Sequence, residues 1–308
     1  MLISGLSLIR NGVALGYPFV EAIRSVLPLV DEMVVVVAES EDGSREAVEA
    51  IGDPKIRIID SIWHPRITPK ASVLAQQTNL GLLSCRGDWI VYVQGNELFH
   101  ERDLPQLRTL MTEHLDNPEV EGLLIERLVF YGDYQHFIRT YPDRFKYVVR
   151  AFKPWNGVYA ITSAMTFSVF ESYGERGRAL RCVDSGVDMF RYGKLLTPEA
   201  MTWKLRNAPH KLRGSDASFE AEAYYRWIGR DCIRRYRGDH PAVMQERIAN
   251  HPISLDLDDP RWRTQLTGKE RRRLLESAFY RRFGLPRWRK GRYTLVGDFV
   301  RKDRSAEE

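Results

Sequence analysis

Four consecutive valines, Val34 to Val37, bracketed by Met33 and Ala38, constrain this chain more than any other segment. Branched side chains without polar alternation describe a strand buried on both faces, and such strands belong to parallel sheets covered by helices. The neighbouring segments agree. Residues 3–9 read as a second buried strand, and residues 18–29 place Phe19, Ala22, Ile23, Val26 and Leu27 near helical spacing. Ser44 can cap a helix over 45–51, and Gly52-Asp53-Pro54 breaks it before a short strand at 56–59. A helix over 71–83, carrying Gln76, Gln77 and Asn79, then leads through Asp88 into a strand at 89–93. Alternating strand and helix signals require βαβ units, and right-handed crossovers wind them into a doubly wound sheet.

Beyond residue 100 the pattern changes twice. A helix at 104–115 and a strand at 122–130 continue it, followed by an aromatic-rich stretch of short strands at 133–170 and a strand at 183–192. From Pro198 onward the spacing predicts helices over 199–205, 219–236 and 269–283. We expect a boundary near Arg213-Gly214-Ser215, dividing a domain of residues 1–213 from a helical, basic extension of 214–308.

Composition removes several classes. With 308 residues, 44% hydrophobic and 28% charged, the chain is an ordinary globular protein, large enough for one α/β domain and an appendage. No apolar run approaches the roughly 20 residues needed to span a bilayer. The opening Met1-Leu2-Ile3-Ser4-Gly5 has no basic leader and reads as the start of the first strand. Cys85, Cys182 and Cys232 are odd in number and scattered, which suits a reducing, cytoplasmic setting better than a disulfide framework or a zinc site. The seven histidines form no His-Glu-X-X-His pair, and there is no P-loop or Gly-X-Ser-X-Gly elbow.

The strand at 89–93 ends abruptly in Gln94-Gly95-Asn96-Glu97, a polar loop at the carboxyl end of a strand, where open α/β sheets bind ligands. Together with the opening Ile3 to Asn11, the run Tyr17 to Glu32, the valine strand and Glu41-Asp42-Gly43-Ser44, this loop resembles the N-terminal half of bacterial family 2 glycosyltransferases. The resemblance covers residues 1–210 and rests on the order of motifs. It implies a GT-A-type α/β fold, a doubly wound, mostly parallel sheet, with a nucleoside-diphosphate sugar as donor. It also implies an Asp-X-Asp-like loop whose carboxylates hold Mn²⁺ or Mg²⁺ against the diphosphate.

Several positions can be carried over. Arg10 and Asn11 follow the first strand, and Glu39 and Asp42 follow the second, where an acidic side chain can accept hydrogen bonds from a uracil imide or a ribose. A plain turn and helix cap accounts equally for Asp42-Gly43-Ser44. Asn79 matches an asparagine that such enzymes turn toward the nucleotide, with a surface amide as the alternative. Gln94, Gly95 and Asn96 occupy the metal loop, where relatives carry Gln-Gly-Asp-Glu; one acidic position is therefore lost, and a metal held by Asn96 and Glu97 alone binds weakly or not at all. A second departure lies in Met189-Phe190-Arg191-Tyr192-Gly193-Lys194, where related chains have Tyr-His-Tyr-Gly. Arg191 stands at the histidine and cannot ligate a metal, but with Lys194 it can contact phosphate oxygens directly. The family's base aspartate aligns with Ser163; Asp184 and Asp188, flanking Ser185-Gly186, are the nearest alternatives, with Glu126 and Asp133 further ones, and a structural or solvent-facing carboxylate accounts equally for each. We assign Asp188, Glu97 and Arg191 to catalysis.

The net charge of +5 concentrates late in the chain, at Arg261-Trp262-Arg263, Arg271-Arg272-Arg273, Arg281-Arg282 and Arg287-Trp288-Arg289-Lys290. Such a patch can meet an anionic membrane surface, a polyanionic acceptor or nucleic acid, or simply cover apolar surface with arginine stems. The membrane is favoured because family 2 enzymes build glycans on lipid-linked acceptors; nucleic acid is disfavoured because no reader fold precedes the patch. The resulting expectation is an inverting transferase moving sugar from a UDP-sugar to a glycan or lipid-linked acceptor, cytoplasmic and peripheral on the inner membrane face. The alternative is a catalytically impaired relative that binds nucleotide sugar or serves as a scaffold.

Overall fold

A computed structural model describes residues 1–64, 72–138, 146–161, 165–172, 176–195, 228–250, 254–283, 293–300 and 302. The expected helix at 199–205, the boundary at 213–215 and the Arg287–Lys290 cluster lie outside the described residues. The first half runs β1 (Ile3–Ile9), α1 (Phe19–Val26), β2 (Glu32–Ala38), α2 (Ser44–Glu49), β3 (Ile56–Ser61), α3 (Ser72–Leu82), β4 (Trp89–Gln94), β5 (Glu97–Phe99) and α4 (Leu104–Glu113). Next come β6 (Gly122–Val129), β7 (His136–Ile138), β8 (Tyr147–Phe152), β9 (Val158–Ile161), β10 (Thr166–Val169) and β11 (Leu180–Arg191). The last part contributes β12 (Ile233–Arg235), α5 (Gln245–Ala249), α6 (Gly268–Phe283) and β13 (Tyr293–Leu295).

The central sheet has the order β13-β11-β6-β8-β4-β1-β2-β3, with β5 added antiparallel to β11. Pairings among β3, β2, β1 and β4, and among β6, β11 and β13, are parallel; β8 alone is inserted antiparallel between β4 and β6. A mixed, mostly parallel sheet with flanking helices is the α/β architecture the sequence implied. The valine strand behaves as its composition dictates. Val35 and Val37 join the core beneath α1 and α4, while Val34 joins the core beneath α3. On the α1 side, Phe19, Ala22, Ile23 and Val26 supply the buried stripe. On the other, α3 approaches so closely that a Cβ on Gly81 would lie 2.4 Å from Leu6 Cδ1 and 2.7 Å from Val36 Cγ2. A glycine inside a helix costs about 1 kcal/mol relative to alanine, and here it is the condition for contact.

Two expectations need correction. Ser44 is the first residue of α2 rather than its cap; its hydroxyl accepts the Gly12 and Val13 N–H groups, and Gly43 precedes it in a left-handed conformation (φ 80°). Residues 228–236 do not continue a helix. Arg230–Cys232 form one 3-10 turn and β12 then pairs antiparallel with β7, because Cys232 and Ile233 are buried against Val129, Ile138 and Trp262. The end of the chain also returns to the sheet. β13 lies parallel to β11, and beyond it Asp184 accepts the Val300 N–H at 3.0 Å. The described part of 214–308 thus pairs with the earlier chain at two places, β13 with the central sheet and β12 with β7 in a separate two-stranded sheet, and α6 is its one long helix among the described residues.

Candidate functional site

Chain direction reverses across the sheet between β1 and β4: the chain leaves β1 toward β2 and β3, then crosses back to place β4 on the other side. The crevice beyond the carboxyl ends of such a strand pair is where α/β sheets take ligands. Register places Leu8 opposite Gln94, so the loop after β1 and the loop after β4 are neighbours. A Cβ on Gly95 would stand 3.1 Å from both Ile9 Cδ1 and Phe19 Cβ.

On the β1–β2 side the expected residues come together, and most of their polar groups are used by the backbone. Asn11 is left-handed (φ 49°) and donates its N–H to Ser40 Oγ at 3.0 Å. Arg10 Nε donates to the Glu39 carbonyl at 3.4 Å, and the guanidinium lies 4.8 Å from the Trp63 ring centroid. Asp42 Oδ2 accepts the Ala14 N–H at 2.8 Å, and its Oδ1 accepts the Ser44 hydroxyl at 2.6 Å and the Ser44 N–H at 3.1 Å. Burial would raise its carboxyl, but these hydrogen bonds hold it below the ordinary aspartate value. Asn79 makes a two-sided amide pair with the Ala160 backbone, donating to its carbonyl at 3.1 Å and accepting its N–H at 2.8 Å. In this conformation Asp42 staples two loops and Asn79 ties α3 to β9.

The β4–β5–β11 side is different in kind. Glu97 is fully buried, and Arg150 takes both carboxylate oxygens, Nε to Oε2 at 2.9 Å and Nη2 to Oε1 at 3.1 Å. Arg127 and Arg191 each bring a nitrogen to 3.8 Å from the same carboxylate. Burial alone would push Glu97 up; the ion pair with Arg150, reinforced by Arg127 and Arg191, holds it ionised and below its ordinary value. Register sets Arg191 opposite Glu97, and the Tyr192 N–H donates to the Asn96 carbonyl at 2.9 Å. Gly193 lets the chain lie against Asn96, since a Cβ there would fall 2.5 Å from Asn96 Nδ2. Tyr17 completes this corner. Burial pushes its phenol up to about 12, against the charge of Arg191 and a hydrogen bond with Asn96. Burial and the charge of Arg191 bring Lys194 down to about 8. Asn96 Oδ1 is buried here without a hydrogen-bond partner, and the buried Arg191 Nε has no acceptor nearer than Glu97 Oε1 at 3.8 Å. Gln94 is half-buried, its N–H directed to Glu97 Oε2 at 3.3 Å.

The donor set does not fit a divalent ion. Mg²⁺ and Mn²⁺ want several hard oxygen ligands, usually including carboxylates. Here the one carboxylate of the loop is committed to Arg150 with two further guanidiniums near it, leaving the neutral Asn96 Oδ1. Among the described residues no group of three or more His, Cys, Asp or Glu could hold a metal.

Asp188 belongs to another cluster. It stands three positions from Arg191 on β11, hence on the opposite face of the strand, and accepts from Lys302 Nζ at 2.5 Å. Glu126, its register partner, pairs with Lys146 at 2.8 Å and lies 3.7 Å from Lys302. Asp184, whose carboxyl is raised by burial, accepts the Gly186 and Val300 N–H groups. Asp133 is a loop staple, accepting from Gln135 N–H, Leu255 N–H and His136. Sequence reasoning missed Arg150, Arg127 and Tyr17. Arg150 left a readable signal, a lone cation inside the apolar strand Tyr-Val-Val-Arg-Ala-Phe, which is buried only when a carboxylate meets it.

No protein-family model matches the chain, and no curated protein matches it. Among solved structures it is similar to glucosyl-3-phosphoglycerate synthase from Mycobacterium tuberculosis in complex with Mn²⁺, uridine diphosphate and phosphoglyceric acid, at 17% identity over 53% of this chain and 61% of that chain (TM-score 0.35). It is also similar to S. aureus TarS, at 12% identity over 73% of this chain and 42% of that chain (TM-score 0.39). A structure of TarS 1-349 with UDP-GlcNAc matches at 21% identity over 43% of this chain and 36% of that chain (TM-score 0.33). The matches thus span less than two thirds of these proteins, and at such scores they carry no argument about ligand or reaction.

Proposed function

We propose that this chain is a glycosyltransferase that takes a nucleoside-diphosphate sugar, a UDP-sugar in the first instance, and transfers the sugar with inversion to a hydroxyl of a glycan or lipid-linked acceptor. The observation that carries the reading is the coincidence of the reversal point between β1 and β4 with a cationic corner holding unpartnered polar atoms. Arg10, Asn11 and Glu39 frame the base and ribose end, and Asn96, Arg191 and Lys194 frame the diphosphate end. Inversion needs a carboxylate at the acceptor, and Asp188, on the face of β11 opposite Arg191, serves only if the acceptor is reached from that face and Lys302 releases it. The test is titration of a nucleotide-sugar panel, followed by assay of nucleoside diphosphate release with candidate acceptors. Absence of binding by every nucleoside diphosphate sugar overturns the reading.

A second reading, a nucleotide-sugar-binding or scaffold protein, is favoured by one observation: both carboxylates assigned to catalysis, Glu97 and Asp188, are held in ion pairs. Donor binding with no turnover under any acceptor selects it.

The membrane assignment now rests on α6. Arg271 and Arg272 are exposed there, as are Leu275 (71%) and Phe279 (52%), one turn apart on one face. Apolar side chains beside arginines suit the surface of an anionic bilayer at the inner membrane face. No helix among the described residues is long and apolar enough to cross a membrane. Sedimentation with anionic vesicles should fall steeply as salt rises, and Leu275→Ser with Phe279→Ser should abolish it. Equal binding to neutral vesicles overturns this part.

A further inference from the structure

We propose that Arg191 and Lys194 bind the donor diphosphate directly and that no divalent ion takes part in donor binding. The inference rests on the donor reading above and concerns how the same crevice neutralises its ligand.

A diphosphate brought to the loop after β4 needs positive charge. An ion would supply it only if carboxylates were free to hold the ion, and Glu97 is closed by a bidentate contact from Arg150. Freeing Glu97 would leave buried guanidiniums without their counter-charge, a change that costs several kcal/mol. The charge is instead already in place. Glu97 is one carboxylate facing Arg150, Arg127 and Arg191, and Lys194 follows three residues after Arg191, in the turn that ends β11. A divalent cation brought to Arg191 meets like charge; an anion meets opposite charge.

Geometry singles out Arg191 within the group. Arg150 is fully buried and its fork is spent on Glu97, whereas Arg191 remains partly accessible and holds Glu97 only at 3.8 Å. Its buried Nε faces Glu97 Oε1 beyond hydrogen-bond distance, and the side chain keeps part of its surface open to a ligand. A guanidinium presents paired donors that match two phosphate oxygens, and an ammonium three residues along can meet a third. Asn96 Oδ1, also buried and unpartnered, is an acceptor and so suits a hydroxyl of the donor rather than its phosphates. The loop position that would hold a metal thereby becomes a contact for sugar or ribose.

Isothermal titration of the whole chain with UDP, UMP and uridine, in EDTA and in Mn²⁺, tests this. Expected are binding of UDP in EDTA within threefold of that in Mn²⁺, and a tenfold or greater loss for Arg191→Ala and Arg191→Gln, with Arg191→Lys in between. Uridine binding should be unmoved by the same changes. Thermal melting of each variant identifies any that fails to fold, and Lys194→Gln, predicted to weaken UDP more than UMP, supplies an independent reading. UDP binding that requires Mn²⁺, or that survives Arg191→Gln and Lys194→Gln unchanged in folded proteins, overturns the proposal while leaving the donor reading intact. Failure of UDP, GDP and dTDP to bind under either condition overturns the donor reading itself.

Discussion

The two sides of the crevice carry the same kinds of residue in opposite states. After β1 and β2, the Asp42 carboxylate and the Asn11 backbone are satisfied by neighbouring loops, and the chain is fastened before any ligand arrives. After β4 and β11, three guanidiniums gather at one carboxylate, Asn96 Oδ1 has no hydrogen-bond partner, and Arg191 Nε has no acceptor nearer than Glu97 Oε1 at 3.8 Å. The contrast teaches that residue type at a strand end does not by itself mark a ligand contact. A polar group already closed by backbone shapes the wall of a pocket, and one left open in a buried place is what a ligand can complete.

The comparison can be broken or sharpened by substitution. The largest effect should come from Glu97→Gln, which strips the cationic corner of its carboxylate and should cost about 3–5 kcal/mol of stability in urea unfolding. A smaller loss than 1 kcal/mol would mean that the corner is solvated rather than buried. Arg191→Ala should come next, costing about 1.5–3 kcal/mol of UDP affinity, the scale of a charge-assisted hydrogen bond. Its complement, Asn96→Asp with Arg191→His, should create a requirement for Mn²⁺ in UDP binding.

On the fastened side, Asp42→Ala and Asn79→Ala should each cost about 1 kcal/mol of stability by removing hydrogen-bond partners of the backbone at Ala14, Ser44 and Ala160. Loss of UDP affinity at full stability would instead return those side chains to the pocket. For Asp42 the folded carboxyl lies below its ordinary value, so its contribution is present above the unfolded value near ~3.9 and disappears as pH falls through the folded one. The smallest effect concerns Lys194. Its value of about 8 means that it is charged below that pH and neutral above, so UDP affinity should weaken by a few-fold between pH 7 and pH 9. A flat profile in the native chain, matching that of Lys194→Gln, would remove the ammonium from the diphosphate end.

Much of the sheet was legible locally. β1, α1, β2, α3, β4 and α6 each rest on a run of apolar residues at strand or helix spacing, and the structure keeps them within a few residues of where periodicity puts them. The loop Gln94–Glu97 was legible as well, because a strand that ends in polar residues marks the edge of the sheet where ligands can enter. Less was legible after residue 220. Residues 228–236 have the composition of a helix, yet β7 offers an open edge and an apolar patch beneath it, and long-range pairing overrides local preference.

The sequence by itself determined the alternation that makes a mostly parallel α/β sheet and the polar loop Gln94–Glu97 at which it opens. Only the tertiary structure decided which charges meet. Arg150 lies 53 residues from Glu97, Lys302 lies 114 from Asp188, and Asn79 lies 81 from Ala160. No periodicity encodes such separations, since periodicity reports the face a residue takes and the partner is set by strand order. The strength of each contact then follows from burial, because a charge removed from water keeps only the partners that the fold brings to it.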